Sequence, residues 1–316
     1  MKDSHVHNRF SPILALLLAL WALPSQAGTY SRMVIFGDSL SDPGNAYVLT
    51  GELSNRPYAL IPSAPYARGG LHFSNGNTWV EDLGTRLGVA SSVGPAMRTP
   101  VFSNYAVGGA RARPGGAMDL TTQVSLFLDS HDDNAPGDAL YVIFIGGNDI
   151  RDAIGWYIDP NYEGPTPDAV IGTAIQSIAD NIQLLLDAGA HHVLVVNAPN
   201  LGVVPAVAMY GPGAQYLGQM LSAGFNSYLD TTLTLLQWDP RLDLFQFNLF
   251  EFLNQAVSAP AALGLTEVST PCITPGVVVG AVCNNPKHYL FWDGIHPTAT
   301  GHQLISDAVY NVITAP

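Results

Sequence analysis

The stretch MVIFGDSLSDPGN, Met33 to Asn45, places four apolar residues directly before a polar Gly-Asp-Ser-Leu cluster. A short apolar run of this kind predicts a buried strand, and the Ser-Asp-Pro-Gly-Asn that follows it predicts a turn. Ser39 therefore comes at the end of the predicted strand, where it has two interpretations. It is either the nucleophile of an active site or the cap of a helix that begins there.

Further apolar runs of strand length recur along the chain, at 101–107, 140–146, 192–198 and 242–248. They are continuous rather than alternating, as in strands that are covered on both faces. Segments with helical spacing or helix start and stop signals lie between them and after them, at 77–88, 166–189, 212–237 and 298–313. The alternation predicts an α/β fold with a parallel sheet and helices on both faces, whose working residues follow the carboxyl ends of the strands.

Glycine and polar residues follow the predicted strands and are expected to meet at one edge of the sheet. Gly-Gly-Ala-Arg follows 101–107, and Gly-Asn-Asp follows 140–146. A glycine lets the main chain approach a substrate carbonyl closely, and an asparagine offers a side-chain amide. We therefore expect an oxyanion hole made of the Gly109 N–H, the Asn148 side chain and the Ser39 N–H. The alternative is that both glycine pairs are ordinary turns between a strand and a helix.

One of the nine histidines has a carboxylate placed to orient it. His296 lies in FWDGIHP, three residues after Asp293, across a turn that contains glycine. Such a step lets the carboxylate reach Nδ1 of the imidazole, which leaves Nε2 free to accept a serine proton. The alternative is that Asp293 is only a turn residue and His296 only a polar residue at a helix start, because Asp-x-x-His is frequent by chance.

The N-terminal segment 1–27 has the pattern of a secretory signal peptide. Lys2 and Arg9 precede an apolar run that ends near Pro24, and Ser25 and Ala27 are small residues at the −3 and −1 positions of a cleavage site. A membrane anchor is the alternative, but the run is short for a spanning helix, and no later segment is expected to be long and apolar enough for one. We expect a secreted or periplasmic protein with no integral membrane segment after removal of the signal.

The composition is that of a folded, acidic protein. The 316 residues are 47% hydrophobic and 12% charged, with a formal net charge of −13, which argues against disorder and against general nucleic-acid binding. The chain has two cysteines, Cys272 and Cys283, and in an exported protein such a pair predicts a disulfide. Two free buried thiols are the alternative, and the pair gives no metal-site pattern.

Four sequence blocks, in this order, resemble those of the GDSL family of SGNH hydrolases: FGDSLSDPGN, NYAVGGA, GGND and DGIHP. Two more stretches, FSNGNTWVEDL (73–83) and NAPNLGVVPA (197–206), are similar to its bacterial secreted esterase and lipase branch. The resemblance spans about 33 to 302. It implies one SGNH hydrolase domain over 28–316 with a flavodoxin-like, three-layer α/β/α sandwich. The family positions map onto Ser39, Gly109, Asn148 and His296, with Asp293 as the carboxylate, and the adjacent Gly108 stays an alternative to Gly109.

The function that the resemblance implies is a secreted serine esterase or lipase that acts through an acyl-enzyme on Ser39. The substrate would be a small-molecule or lipid ester, with short-chain, choline and lipid esters all open, and no cofactor or metal is expected. A lipid acyltransferase or phospholipase of the same family is one alternative. A non-catalytic, flavodoxin-like binding protein is another. The sequence does not fix the acyl chain length or the alcohol of the substrate.

Overall fold

Four parallel strands form one sheet in the order β1-β2-β3-β4. The structure, a computed structural model, describes residues 30–50, 71–273 and 282–315, so the predicted signal peptide lies outside the described residues. The strands are β1 (Met33–Gly37), β2 (Leu140–Phe144), β3 (His192–Val196) and β4 (Asp243–Phe247). All five residues of β1 and all five of β2 are buried, which explains why these strands are continuous apolar runs.

Helices cover the sheet on both faces. In the described residues they are α1 (Asn45–Leu49), α2 (Trp79–Arg86), α3 (Leu120–Asp129), α4 (Gly147–Ile158), α5 (Pro167–Asp187), α6 (Pro205–Ala208), α7 (Pro212–Leu236), α8 (Leu249–Ser258) and α9 (Ala299–Thr314). Helix α2 packs on α9, whereas α4, α5 and α7 pack on one another and α3 packs on α5. The predicted three-layer α/β/α sandwich with a central parallel sheet is confirmed.

The segment 101–107 differs from its predicted strand. It lies beside β1 in parallel orientation, where the Ile35 N–H donates to Ser103 O (2.9 Å) and the Tyr105 N–H donates to Ile35 O (2.7 Å). The ladder is nevertheless limited to isolated bridges at Asn104. The Asn104 side-chain oxygen accepts from the Ala106 N–H (3.0 Å), and this local bond competes with regular strand pairing.

Helix α5 is long and apolar enough to cross a membrane by length and composition, contrary to the expectation that no segment after residue 27 would be. It is the one such helix in the parts of the chain that the structure describes. Eleven of its residues are buried, among them Ile178, Ile182 and Leu185, and its neighbours are α3, α4 and α7. This packing is that of a core helix.

The predicted disulfide between Cys272 and Cys283 is present. Its first half is fixed to the segment that precedes the last helix, because the Cys272 N–H donates to Phe291 O (3.0 Å) and the Ile273 N–H donates to Trp292 O (2.8 Å). The cross-link therefore supports the chain immediately before Asp293.

Candidate active site

Ser39 lies in a tight turn directly after β1. The strand ends at Gly37, where a Cβ would come within 2.6 Å of Phe144 O, so only glycine allows β1 and β2 to approach this closely. Asp38 then closes the turn: its Oδ1 accepts from the Leu40 N–H (3.0 Å) and its carbonyl accepts from the Ser41 N–H (3.1 Å). Helix α1 starts later, with Gly44 as its cap. The interpretation of Ser39 as a helix cap is therefore wrong.

The last turn of the chain brings Asp293 and His296 to Ser39. Asp293 Oδ1 accepts from the backbone N–H groups of Ile295 and His296, both at 2.8 Å. Its Oδ2 lies 2.8 Å from His296 Nδ1, and His296 Nε2 lies 2.8 Å from Ser39 Oγ. Because a carboxylate only accepts, Nδ1 carries the proton and Nε2 accepts from the serine hydroxyl. The three residues thus form a continuous hydrogen-bonded chain across 257 positions of sequence.

Asp293 is buried, yet it is held in the charged form. Burial by itself would raise the pKa of Asp293, but the charge and hydrogen bonds of His296 and the N–H of Ile295 outweigh it and leave the pKa below its usual value. A charged carboxylate stabilises an imidazolium that forms beside it. The arrangement can therefore take a proton from Ser39 and hold it on His296.

Asn148 lies in the first turn of α4, after β2, as the sequence predicts. Its Nδ2 donates to Ala110 O (2.9 Å) and lies 3.4 Å from Asp38 Oδ2. The second distance is long for a hydrogen bond, so that N–H can turn to a developing oxyanion without losing a strong partner. Burial raises the pKa of Asp38 to about 6, although the Leu40 N–H and the charge of His296 act in the opposite direction.

In the Gly108–Gly109 pair, one of the two backbone N–H groups already donates a hydrogen bond within the protein. The Gly108 N–H donates to Asp42 Oδ2 (2.8 Å), and a Cβ at Gly108 would overlap the Phe73 ring. Gly109 has a φ of +83°, and its N–H makes no hydrogen bond to any residue within 30–50, 71–273 and 282–315. The geometry therefore favours Gly109 over Gly108 as the oxyanion donor.

Asp42 is a residue that the sequence analysis did not single out. It is fully buried, and its carboxylate accepts from the N–H groups of Gly44 (2.7 Å), Asn45 (2.6 Å), Ala46 (3.0 Å) and Gly108 (2.8 Å). The first three bonds are local, and Asp-Pro-Gly-Asn is a signal for such a turn. The bond to Gly108 spans 66 residues and ties the serine turn to the glycine loop.

Ion pairs fix the same glycine loop to helix α4. Arg111 Nε lies 2.6 Å from Asp152 Oδ2, and Arg113 Nη1 lies 3.0 Å from the buried Asp149, whose Oδ2 also accepts from the Ala112 N–H (2.8 Å). Arg113 pairs with Asp152 as well. Because α4 carries Asn148, this network sets the position of the loop relative to the amide.

The two additional stretches of the resemblance both contact the last turn. From 73–83, Ser74 Oγ donates to Pro297 O (3.0 Å), and the Phe73 ring packs on the His296 imidazole with centroids 5.2 Å apart. From 197–206, the Ala206 N–H donates to Gly294 O (2.8 Å). They hold the Asp293–His296 turn from two sides, which is a role that their sequence alone does not reveal.

Comparison with known proteins identifies the class to which this fold and site belong. Residues 33–309 match the family described as GDSL-like Lipase/Acylhydrolase. The match covers most of the chain, and the protein belongs to this family.

Its relatives are distant in sequence. GDSL esterase/lipase 6 of Arabidopsis thaliana is 25% identical over 94% of this chain and 91% of its own length. Esterase EstA of Pseudomonas aeruginosa is 28% identical over 98% of this chain, which spans 51% of the EstA length. An uncharacterised Pseudomonas putida protein is 27% identical, and the chain likewise spans only 53% of it. Among solved structures, the M. smegmatis aryl esterase aligns with a TM-score of 0.45 and 16% identity, over 89% of this chain and 97% of that one.

Proposed function

We propose that this protein is a serine esterase that hydrolyses carboxylic esters through an acyl-enzyme on Ser39. The proposal rests on the hydrogen bonds that connect Asp293, His296 and Ser39. Asp293 Oδ2 lies 2.8 Å from His296 Nδ1, and His296 Nε2 lies 2.8 Å from Ser39 Oγ. A nucleophile, a base and a residue that orients the base are the minimum set for this reaction. Family membership supports the same reaction class.

The reaction would proceed in two balanced steps. Ser39 Oγ attacks the ester carbonyl while His296 Nε2 takes its proton, and the carbonyl oxygen becomes an oxyanion between the Gly109 N–H, the Ser39 N–H and Asn148 Nδ2. The C–O bond to the alcohol then breaks, and His296 returns the proton to the departing oxygen. Water, activated by the same imidazole, attacks the acyl-enzyme and releases the acid with Ser39 restored.

We further propose that residues 1–27 are a signal peptide that is removed on export, and that 28–316 form one hydrolase domain. The charged start, apolar run and small residues of 1–27 support export, as does a disulfide, since such bonds persist in oxidising compartments. Mass spectrometry of the protein recovered from the secreting cell would test this. A chain that begins at Gly28 is expected, and a chain that keeps residues 1–27 would contradict export.

The esterase proposal is tested with Ser39→Ala and p-nitrophenyl butyrate. We expect the variant to lose at least about a thousandfold in kcat, because the acyl-enzyme cannot form. Its circular dichroism spectrum should match that of the wild type, since Ser39 is only partly buried and its hydroxyl bonds to His296 of the site. The matched control is Ser130→Ala, at the end of α3, whose hydroxyl bonds to Phe127 O and the Tyr105 hydroxyl and to none of the proposed catalytic residues. Turnover retained by Ser39→Ala would contradict the mechanism.

A further inference from the structure

A pocket of about 330 Å³ opens beside Ser39 across the carboxyl edge of the sheet. Residues that follow each of the four strands line it: Leu40 after β1, Asn148 after β2, Leu201 after β3 and Leu249 after β4. The pocket therefore extends along the whole edge, much further than the acyl carbon that Ser39 attacks would require.

The inner wall of this pocket is apolar. The buried side chains of Trp79, Phe144, Phe291 and Ile305 line it, and its ionisable residues are few. His302 is buried there and accepts from the Trp79 N–H through Nδ1 (3.3 Å), and burial lowers the pKa of His302 to about 3, so that it is neutral. A wall of this kind stabilises a hydrocarbon chain and offers little to a sugar or another polar group.

The remaining ionisable groups of the lining are Asp38, Arg151, Asp159 and Tyr210. Asp38 lies next to Ser39, and its Oδ1 already accepts from the Leu40 N–H. Arg151, Asp159 and Tyr210 are exposed and therefore lie where the pocket meets solvent. Most of the other lining side chains are apolar.

The direction in which an ester would lie follows from the position of His296. Ser39 and Asn148 line the pocket, and Ile295 and Pro297 line it on either side of His296, whose Nε2 lies 2.8 Å from Ser39 Oγ. The departing alcohol must receive the proton of His296, so its oxygen lies beside Nε2 of that imidazole. The acyl carbon is bonded to Ser39 with its oxygen towards Asn148, which leaves the acyl chain directed into the pocket.

We propose that this pocket is an acyl-chain site and that the protein prefers esters of medium-length fatty acids to acetyl esters. If a methylene takes roughly the 30 Å³ that a water occupies in the liquid, the pocket holds a chain on the order of ten carbons. The proposal deepens the esterase function and rests on it. It specifies the acid part of the substrate. The alcohol part would lie on the solvent-facing side of His296.

The test is the chain-length profile of kcat/KM on p-nitrophenyl acetate, butyrate, hexanoate and octanoate, each below its aggregation concentration. Octanoate has six more methylenes than acetate, and full burial of each would raise kcat/KM about fourfold, which sets a ceiling of roughly four-thousandfold. If each methylene contributes even about twofold, octanoate should exceed acetate by about a hundredfold, and we expect at least that ratio. A flat profile, or one that falls beyond butyrate, would overturn the acyl site. If none of the four esters is hydrolysed, the esterase function itself fails, which is a different result.

Ala214→Phe tests the position of the site. Ala214 is a buried residue of α7 that lines the pocket, and a phenyl ring there would occupy the space of several methylenes. We expect the octanoate-to-acetate ratio of kcat/KM to fall at least tenfold. The matched control is Ala223→Phe, at an exposed position of the same helix, which should leave both rates and the ratio as in the wild type.

An unchanged ratio in a folded Ala214→Phe variant would overturn the proposal. If that variant does not fold, Ile158→Glu provides the same test, because Ile158 lines the pocket and is 46% exposed, so the protein tolerates a carboxylate there. A negative charge at this point should lower the octanoate-to-acetate ratio, and an unchanged ratio would again contradict the acyl site.

Discussion

Removing the disulfide should destabilise the protein by a predictable amount. Cys272 and Cys283 are 11 positions apart, and they are the only cysteines of the chain. In the chain-entropy model, a cross-link that closes such a loop removes about 9 cal/mol/K of entropy from the unfolded state, or about 3 kcal/mol at 25 °C. Because no other thiol exists, a reductant acts on this bond alone.

The assay is thermal unfolding of the wild type with and without reductant, beside the Cys272→Ala/Cys283→Ala variant. A loss of about 3 kcal/mol corresponds to a fall in Tm of roughly 5 °C, because an unfolding entropy of about 2.1 cal/mol/K per residue amounts to about 0.6 kcal/mol/K for a domain over 28–316. The double variant should show a similar fall, increased slightly by the lost packing of Cys272 against Ile273 and Trp292. Alanine is the better replacement because a serine hydroxyl would be buried at 272.

The bond should also matter to the active site below the unfolding temperature. The Trp292 carbonyl accepts a hydrogen bond from the Ile273 N–H, and the Trp292 N–H donates a hydrogen bond to His296 O (2.7 Å). The disulfide segment is thereby connected to the backbone of His296. Reduction should therefore lower kcat several-fold while far-ultraviolet circular dichroism stays unchanged. A Tm shift below about 2 °C would refute the entropic reasoning. A reductant effect of equal size in the double variant would show that the reductant acts elsewhere.

Two further substitutions have expected outcomes. Asp293→Asn places an amide opposite His296 Nδ1 and selects the wrong tautomer, so kcat should fall roughly 10⁴-fold, and a loss of under tenfold in butyrate hydrolysis would contradict the orienting role. Asp38→Asn tests the pKa of about 6 at Asp38, which lies above the 3.8 of the free side chain. The stability that this carboxyl contributes is present below pH 3.8 and is lost as the pH rises through about 6, whereas asparagine does not titrate. The unfolding free energy of the variant should therefore improve relative to that of the wild type between pH 4 and 6 in urea titrations, and a constant difference would contradict the shift.

The parts of the structure that local pattern determines were predictable from the sequence. The runs at 33–36, 140–146 and 192–198 contain β1, β2 and β3, which are almost wholly buried, as a continuous apolar run predicts. The run at 242–248 contains β4, but this edge strand is exposed or half-buried except at Phe247, so the expectation that it is covered on both faces was wrong. The segment 101–107 has the same composition but makes only isolated bridges. Its regular pairing is broken by the Asn104 side chain, a specific contact that an apolar pattern does not show.

The site was predictable in its residue types and less so in its supports. Ser39, Asp293 and His296 meet as the spacing and the resemblance suggested, although Ser39 belongs to a turn and not to a helix start. The choice between Gly108 and Gly109 depends on Asp42, which lies 66 residues from Gly108. A hydrogen bond between residues so far apart in sequence depends on tertiary packing, and local sequence patterns do not predict it.

Covalent labelling shows whether Ser39 is the nucleophile of this esterase. The wild-type protein is treated with a serine-directed organophosphonate, digested, and mapped by mass spectrometry, with Asp293→Asn as a variant of reduced reactivity. We expect one phosphonyl group per chain, on Ser39, formed in step with the loss of esterase activity. Label on another serine, or full inhibition with Ser39 unmodified, would contradict it.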